Sequence, residues 1–245
     1  MARSHVPLRQ IVNVPQCVPS QRFGDIELHI AVTRWPRQTC TVSVNREGVN
    51  MKIIVIGSTG VIGAAVVEAL AARHEVIGVS RNSTPRVDIE EPSTVIKLFE
   101  SIQGIDAVVC CAGSGAFKPI LELSDDDIQF SLKSKLLGQV GVIRAGLRHV
   151  RDNGSITVTS GVLSQHPMPG SGAISLVNAG LEGFVRAAAL EAPRGLRVNV
   201  VSPPWVKETL EKLKMDTSQG LSAAYVAKAY VAAVEGEAQG QTINP

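Results

Sequence analysis

The chain has 245 residues, 44% hydrophobic and 19% charged, with a formal net charge of +2. This is ordinary globular composition, long enough for one large α/β domain or two small ones. The near-neutral balance leaves no electrostatic footprint for nucleic acid or an anionic bilayer. No apolar run approaches a membrane span, so neither partner is expected. Four cysteines, Cys17, Cys40, Cys110 and Cys111, fall in no zinc or disulfide spacing and suit a reducing cytoplasm.

Composition changes at Met51. Residues 1–50 hold six arginines, no lysine and three acids, a charge of +3, which leaves −1 for residues 51–245. Pro7, Pro15, Pro19 and Pro36 interrupt this extension, and only Asp25–Val32 alternates as an edge strand would. Its arginine content, with no acid before Asp25, is similar to a transit peptide. The competing reading is upstream sequence ahead of a natural start at Met51, because Arg46-Glu47-Gly48 can be encoded by a purine-rich run like a ribosome-binding site. On either reading the extension is expected to be disordered and the folded domain to begin at Met51.

Met51–Ile56 is short, apolar and β-branched, which predicts a fully buried parallel strand. Gly57-Ser58-Thr59-Gly60-Val61-Ile62-Gly63 follows, then helix formers from Ala64 to Arg73. In such a strand–turn–helix the first glycine permits the tight turn and the second admits a diphosphate. The third lets helix and strand approach, and the free amides of the helix start face the phosphates. Glu75–Arg81 reads as the next strand and its exit. An acid there would hold a ribose 2′-hydroxyl, whereas Ser80 and Arg81 suit a 2′-phosphate and hence NADP. A solvated surface arginine is the alternative.

Val87-Asp88-Ile89 follows, and only six residues separate Arg81 from Asp88, so no helix fits between them. A helix begins near Pro92, Asp106–Cys111 is a strand, and Ser124 caps a long helical region at Asp125-Asp126-Asp127. Further strands are expected at Gly154–Ser160, Val198–Trp205 and Gly240–Asn244. Six or seven short strands alternating with helices specify a doubly wound parallel sheet, an α/β Rossmann fold in a single domain over residues 51–245.

The glycine turn, Val87-Asp88-Ile89, Cys110-Cys111-Ala112-Gly113, Asn178-Ala179-Gly180-Leu181-Glu182-Gly183-Phe184 and Val198–Trp205 together resemble the short-chain dehydrogenase/reductase family across residues 51–245. The resemblance implies that Asp88 and Ile89 meet the adenine. It places Cys111, Ala112 and Gly113 beside the cofactor, with Pro203 and Val206 also among the cofactor-binding residues. It also implies a homodimer or homotetramer formed through the helices that carry Lys135 and Asn178.

The family's usual chemistry draws on Asn, Ser, Tyr and Lys, with the Lys one helical turn after the Tyr so that both share a face. Matching the Asn178–Phe184 run puts Asn178 at the lysine and Ile174 at the tyrosine. Lys135 falls at the asparagine, and Ser160 is assigned the serine. Isoleucine carries no ionisable proton. Tyr225 and Tyr230, the only tyrosines, read as packing residues of a C-terminal helix. Two substitutes remain for proton transfer, a desolvated Lys135 and His166 on the loop after the Gly154–Ser160 strand. Each has an inert alternative, as a ribose-binding cation and as a loop histidine. The short segment between Trp205 and Leu221, with Lys207, Glu208, Lys212, Lys214 and Asp216, suggests a small open substrate pocket.

Two functions are therefore expected. One is an NADP-dependent oxidoreductase of non-standard mechanism, reducing a carbonyl or activated double bond. The other is a catalytically silent NADP(H)-binding sensor or scaffold.

Overall fold

The computed structural model describes residues 50–245. Residues 1–49, with the Asp25–Val32 strand and the other expectations about the extension, lie outside the described residues. Strand β1 (Lys52–Ile56) shows why its sequence is apolar throughout. Ile54 and Ile56 join one buried cluster and Ile53 and Val55 the other, because both sheet faces are covered.

The remaining strands are β2 (Glu75–Val79), β3 (Ala107–Cys110), β4 (Ser155–Thr159), β5 (Arg197–Val201) and β6 (Thr242–Ile243). They form one parallel sheet in the order β2-β1-β3-β4-β5-β6. Helices α1 (Val61–Ala71) and α7 (Ala223–Glu235) cover one face. The other face is covered by α2 (Pro92–Ser101), α4 (Gly138–His149) and α5 (Gly172–Glu191). This is the doubly wound Rossmann arrangement read from the sequence.

The shortening after β2 goes further than the missing helix. Among the described residues the strand that such a helix would lead to is absent from the sheet as well, so β2 is the edge of the described sheet. Residues 80–91 run directly from β2 to α2, and the Val87 N–H closes the turn on the Ser80 carbonyl at 2.9 Å. Val87 and Ile89 fold inward and are almost fully buried, which plugs the space beneath the shortened edge.

Helix α3 (Asp125–Ser131) starts with a reciprocal cap. Ser124 Oγ accepts the Asp127 N–H, and the Asp127 carboxylate accepts the Ser124 N–H at 3.0 Å. A six-residue π turn, Leu132–Leu137, joins α3 to α4. The long helix α5 has the length and composition to cross a membrane, which an unbroken-run criterion misses because polar residues interrupt it. Here Val177, Leu181 and Val185 pack into the core, while Leu190 on the opposite side is 89% exposed.

Candidate active site and cofactor cleft

The turn between β1 and α1 is held by main chain. Gly57 and Ser58 N–H both reach the Val79 carbonyl, at 2.8 and 3.2 Å, and Gly60 N–H bonds the Gly57 carbonyl at 3.0 Å. Gly57 has φ +84°, and a Cβ there would stand 2.8 Å from the Ala112 amide nitrogen. A Cβ at Gly63 would drive into the Gly57 carbonyl, whereas at Gly60 it would meet nothing closer than 3.4 Å. No side chain caps α1, so its first amides are left for an anion.

A cavity of about 400 Å³ opens over this turn. Its lining includes Gly57, Thr59, Gly60, Ser80, Arg81, Asp88, Ile89, Cys111, Ala112 and Gly113. The glycine cradle, the uncapped helix and the cavity together fit a dinucleotide diphosphate. Ser58, Val61, Ile62 and Gly63 build the floor of the turn rather than the cavity wall, and Ser58 Oγ bonds the Val79 carbonyl at 3.3 Å. Arg81 is exposed at the rim, and no acid occupies the end of β2. The Asp88 carboxylate accepts Glu90 N–H at 3.1 Å and Arg86 at 3.4 Å.

At the other end, four elements converge beyond β4. The π turn carries Lys135, and a Cβ on Gly113 would lie 3.0 Å from Lys135 Cα, so the glycine lets this turn approach the end of β3. Lys135 Nζ donates to the Ser160 carbonyl at 2.9 Å. Burial lowers its pKa from 10.5 to about 8. Asn178 is buried in α5, with Nδ2 donating to the Gly161 carbonyl at 3.3 Å. Its Oδ1 finds no hydrogen-bond donor among the described residues. A buried acceptor left open at this point fits the hydroxyl of a bound ribose. Ile174, one turn earlier, lies against Gly115, where an added Cβ would come within 2.7 Å of its Cδ1.

Ser160 requires a correction. Its hydroxyl does not face Lys135 and Asn178. It is buried and donates to Glu182 Oε1 at 2.9 Å, and Ser164 Oγ donates to the same oxygen at 2.7 Å. Side chains alternate in direction along a strand and its extension, so the neighbouring position points the other way. A Cβ on Gly161 would stand 3.1 Å from Asn178 Nδ2. The position that faces Asn178 thus carries no hydroxyl, and Ser160 presents its carbonyl to Lys135 instead.

Other sequence-derived residues sit as follows. Pro203 accepts the Val162 N–H through its carbonyl at 2.9 Å, and Val206 is buried and bridges to Leu221. His166 is exposed on its loop. Tyr230 is fully buried with its hydroxyl 2.8 Å from Thr159 Oγ1, and Tyr225 is half exposed. Burial pushes the Cys110 thiol up to about 12 and Cys111 higher still, so both stay protonated.

Sequence reasoning missed the supports. Gln139, fully buried, clips β4 by donating to the Thr159 carbonyl and accepting the Thr159 N–H, both at 2.8 Å. Ser131 and Ser134 accept the Ala116 and Ser114 amides, pinning the loop after β3 to the helix. Polar residues placed among apolar helix positions were the available signal at Gln139 and Glu182.

A doubly wound sheet with a glycine-cradled cavity at the β1–α1 turn defines a dinucleotide-binding fold of the short-chain dehydrogenase type. The chain belongs to the short-chain dehydrogenase/reductase family, whose members bind a nicotinamide cofactor: residues 39–240 match the profile described as enoyl-(acyl carrier protein) reductase. It is 24% identical over 191 residues to the vibriobactin-specific 2,3-dihydro-2,3-dihydroxybenzoate dehydrogenase of Vibrio cholerae, covering 67% of this chain and 73% of that one. The chain spans about half the length of several other curated relatives. Among solved structures, the protein lin1944 of Listeria innocua superposes with a TM-score of 0.76 at 34% identity, over 79% of this chain and 98% of that one. A small-chain dehydrogenase in complex with NADPH, 24% identical, shares the fold with a TM-score of 0.72 over 80% and 97% of the two chains.

Proposed function

We propose that the protein is an NADP(H)-dependent reductase of non-standard mechanism that acts on a carbonyl or an activated double bond. The observation that carries this reading is Lys135, a half-buried ammonium fixed 2.9 Å from the Ser160 carbonyl with a pKa of about 8. A group that titrates so near neutrality can give up a proton in the working range. NADPH, when bound, supplies the hydride. Gly57 to Gly63 would seat its diphosphate, Ser80 and Arg81 its 2′-phosphate, and Asn178 Oδ1 a ribose hydroxyl. The fold neighbour crystallised with NADPH supports the same cofactor.

In this mechanism the Ser160 carbonyl aims the Lys135 ammonium. Lys135 then stabilises the oxygen on which negative charge develops and passes it a proton. The amine left behind is reprotonated from solvent. Ile174 and Gly161 add no proton donor and keep the neighbouring surface apolar.

The commitment of the Ser160 hydroxyl to Glu182 favours a second reading, a silent NADP(H)-binding sensor or scaffold. NADPH consumption across a panel of carbonyl and enone compounds, run beside a calorimetric NADPH titration, separates the two. Turnover that Lys135→Met abolishes, with NADPH still bound, supports the reductase. Tight binding without turnover on any substrate supports the sensor. We also infer self-association through α5, on whose outer side Leu176 and Leu190 are exposed.

A further inference from the structure

A second cavity, of about 510 Å³, lies between the loop after β3 and the loop after β4. The two loops are joined by Lys118 N–H on the Gly170 carbonyl at 2.9 Å. The chamber adjoins the reaction end. Ser175 in its wall follows Ile174 directly on α5, and Phe117 stands edge-on to Trp205 at 6.4 Å between ring centroids. Its volume lies within the range of small-molecule sites.

The polar side chains of this chamber already have hydrogen-bond partners, within it or just outside it. Lys118 Nζ reaches both carboxylate oxygens of Asp127 at 2.8 Å, and this pairing pulls the Asp127 pKa down to about 2. Ser171 and Ser175 hydroxyls bond each other at 3.0 Å, and Ser171 Oγ also accepts the Met168 N–H. What remains free is apolar: Phe117, Pro119, Ile120, Pro167, Met168 and Pro169. Three of them leave much surface in water, Ile120 at 72%, Phe117 at 49% and Met168 at 41%. Covering such a rim is favourable for an apolar ligand. A carboxylate placed here would have to displace Asp127 from Lys118 to gain a partner, and would otherwise lose hydration uncompensated.

We propose that this chamber selects an uncharged, predominantly apolar ketone or enone as the substrate and discriminates against acids and phosphorylated compounds. The inference rests on the reductase reading for its chemistry and on the chamber alone for its selectivity. An apolar body held by Phe117, Ile120 and Met168 would present its reducible bond past Ile174 toward Lys135. Only reduction by the cofactor hydride and protonation at the product oxygen or carbon is required.

Binding is measured without reference to turnover. The sequence has two tryptophans, Trp35 and Trp205. In the full-length Trp35→Phe protein, emission therefore reports Trp205 beside the chamber. Titration with para-tert-butylcyclohexanone or menthone should give a saturable change, whereas para-carboxycyclohexanone should bind at least about tenfold more weakly. Ile120→Glu and Met168→Glu, on exposed positions that leave the core untouched, should each weaken the apolar ketones by about tenfold or more while NADPH affinity is unchanged. Equal or tighter binding of the carboxylate, no saturable change with either apolar ketone, or unaltered affinity in both glutamate variants would overturn the proposal. Apolar binding of this pattern without NADPH consumption leaves the chamber assigned and removes the reductase reading. Consumption of NADPH with acids as the preferred substrates does the reverse.

Discussion

The two ends of the cleft are built from different materials. At the diphosphate end the determinants are main-chain amides and the absence of side chains at Gly57, Gly60 and Gly63. At the reaction end they are side chains, Lys135, Ile174 and Asn178, on helices whose packing is set by other residues. At Gly57 and Gly63 the first end cannot be altered without disturbing the strand–turn–helix itself. The second can exchange its chemistry while Gln139, Val177 and Leu181 continue to hold the frame. On the proposed reading, in which Ile174 and Asn178 stand where the family resemblance calls for a tyrosine and a lysine, this difference lets one chain keep the family's cofactor cradle and depart from it at the other end. Fold and activity are separable here because they rest on different atoms.

The strongest challenge to that separation is to rebuild the side-chain end alone. Lys135→Asn, Gly161→Ser, Ile174→Tyr and Asn178→Lys together should raise carbonyl reduction by about a hundredfold or more, the contribution of a positioned general acid. Gly161 has an extended backbone, with φ 162° and ψ 153°, that any residue adopts. Keeping Lys135 should forfeit the gain, since two ammonium groups would then contend for one place. Keeping Gly161 should forfeit most of it, because no hydroxyl would face the substrate oxygen. A rebuilt protein that binds NADPH and shows no gain breaks the comparison.

The main-chain end should instead fail at a single atom. Gly63→Ala places a methyl group against the Gly57 carbonyl, and overpacking of this kind costs about 3 kcal/mol. Urea unfolding should show the loss together with weakened NADPH binding. A stable variant with normal affinity would mean that the turn is softer than its hydrogen bonds indicate.

Arg81 tests the rim between these extremes. Arg81→Ala should weaken NADPH by about 1.5–3 kcal/mol and leave NADH nearly unchanged, the signature of one charge-assisted contact to a 2′-phosphate. Equal calorimetric affinity of the unmutated protein for both cofactors would defeat the NADP assignment.

The smallest effect concerns the pH dependence of stability. Burial holds the folded pKa of Lys135 near 8, below its ordinary 10.5. Between those values the unfolded chain binds more protons, so this residue makes stability rise with pH; below about pH 8 the full cost of the buried charge applies. Lys135→Met should remove that rise. Allowing for water in a half-open cleft, the change should be on the order of 1 kcal/mol between pH 8 and pH 10.5. Parallel stability curves for the two proteins would show that the ammonium is solvated.

The sequence by itself determined the strand–glycine-turn–helix, the doubly wound parallel sheet, the missing helix after β2 and the absence of a phenol at Ile174. The first three follow from local pattern, unbroken apolar strands for a sheet covered on both faces and glycines where no Cβ fits, whereas the place given to Ile174 rests on the family resemblance of the Asn178–Phe184 run. Tertiary structure alone decided which way the end of β4 turns, and so made Gly161 rather than Ser160 the position facing Asn178. A one-residue difference along an extended segment reverses side-chain direction, and that direction is fixed by the pairing of β4 with β5, by Gln139 on Thr159 and by the contacts of Glu182 with Ser160 and Ser164. The loss of a strand along with its helix was likewise settled in three dimensions. Val87 and Ile89 look like strand residues in sequence, but they join none of the six strands of the described residues and serve as a plug. The state of Lys135 belongs here too, because a lysine's proton affinity is set by the surfaces packed around it, and those come from β3, β4 and α5 together.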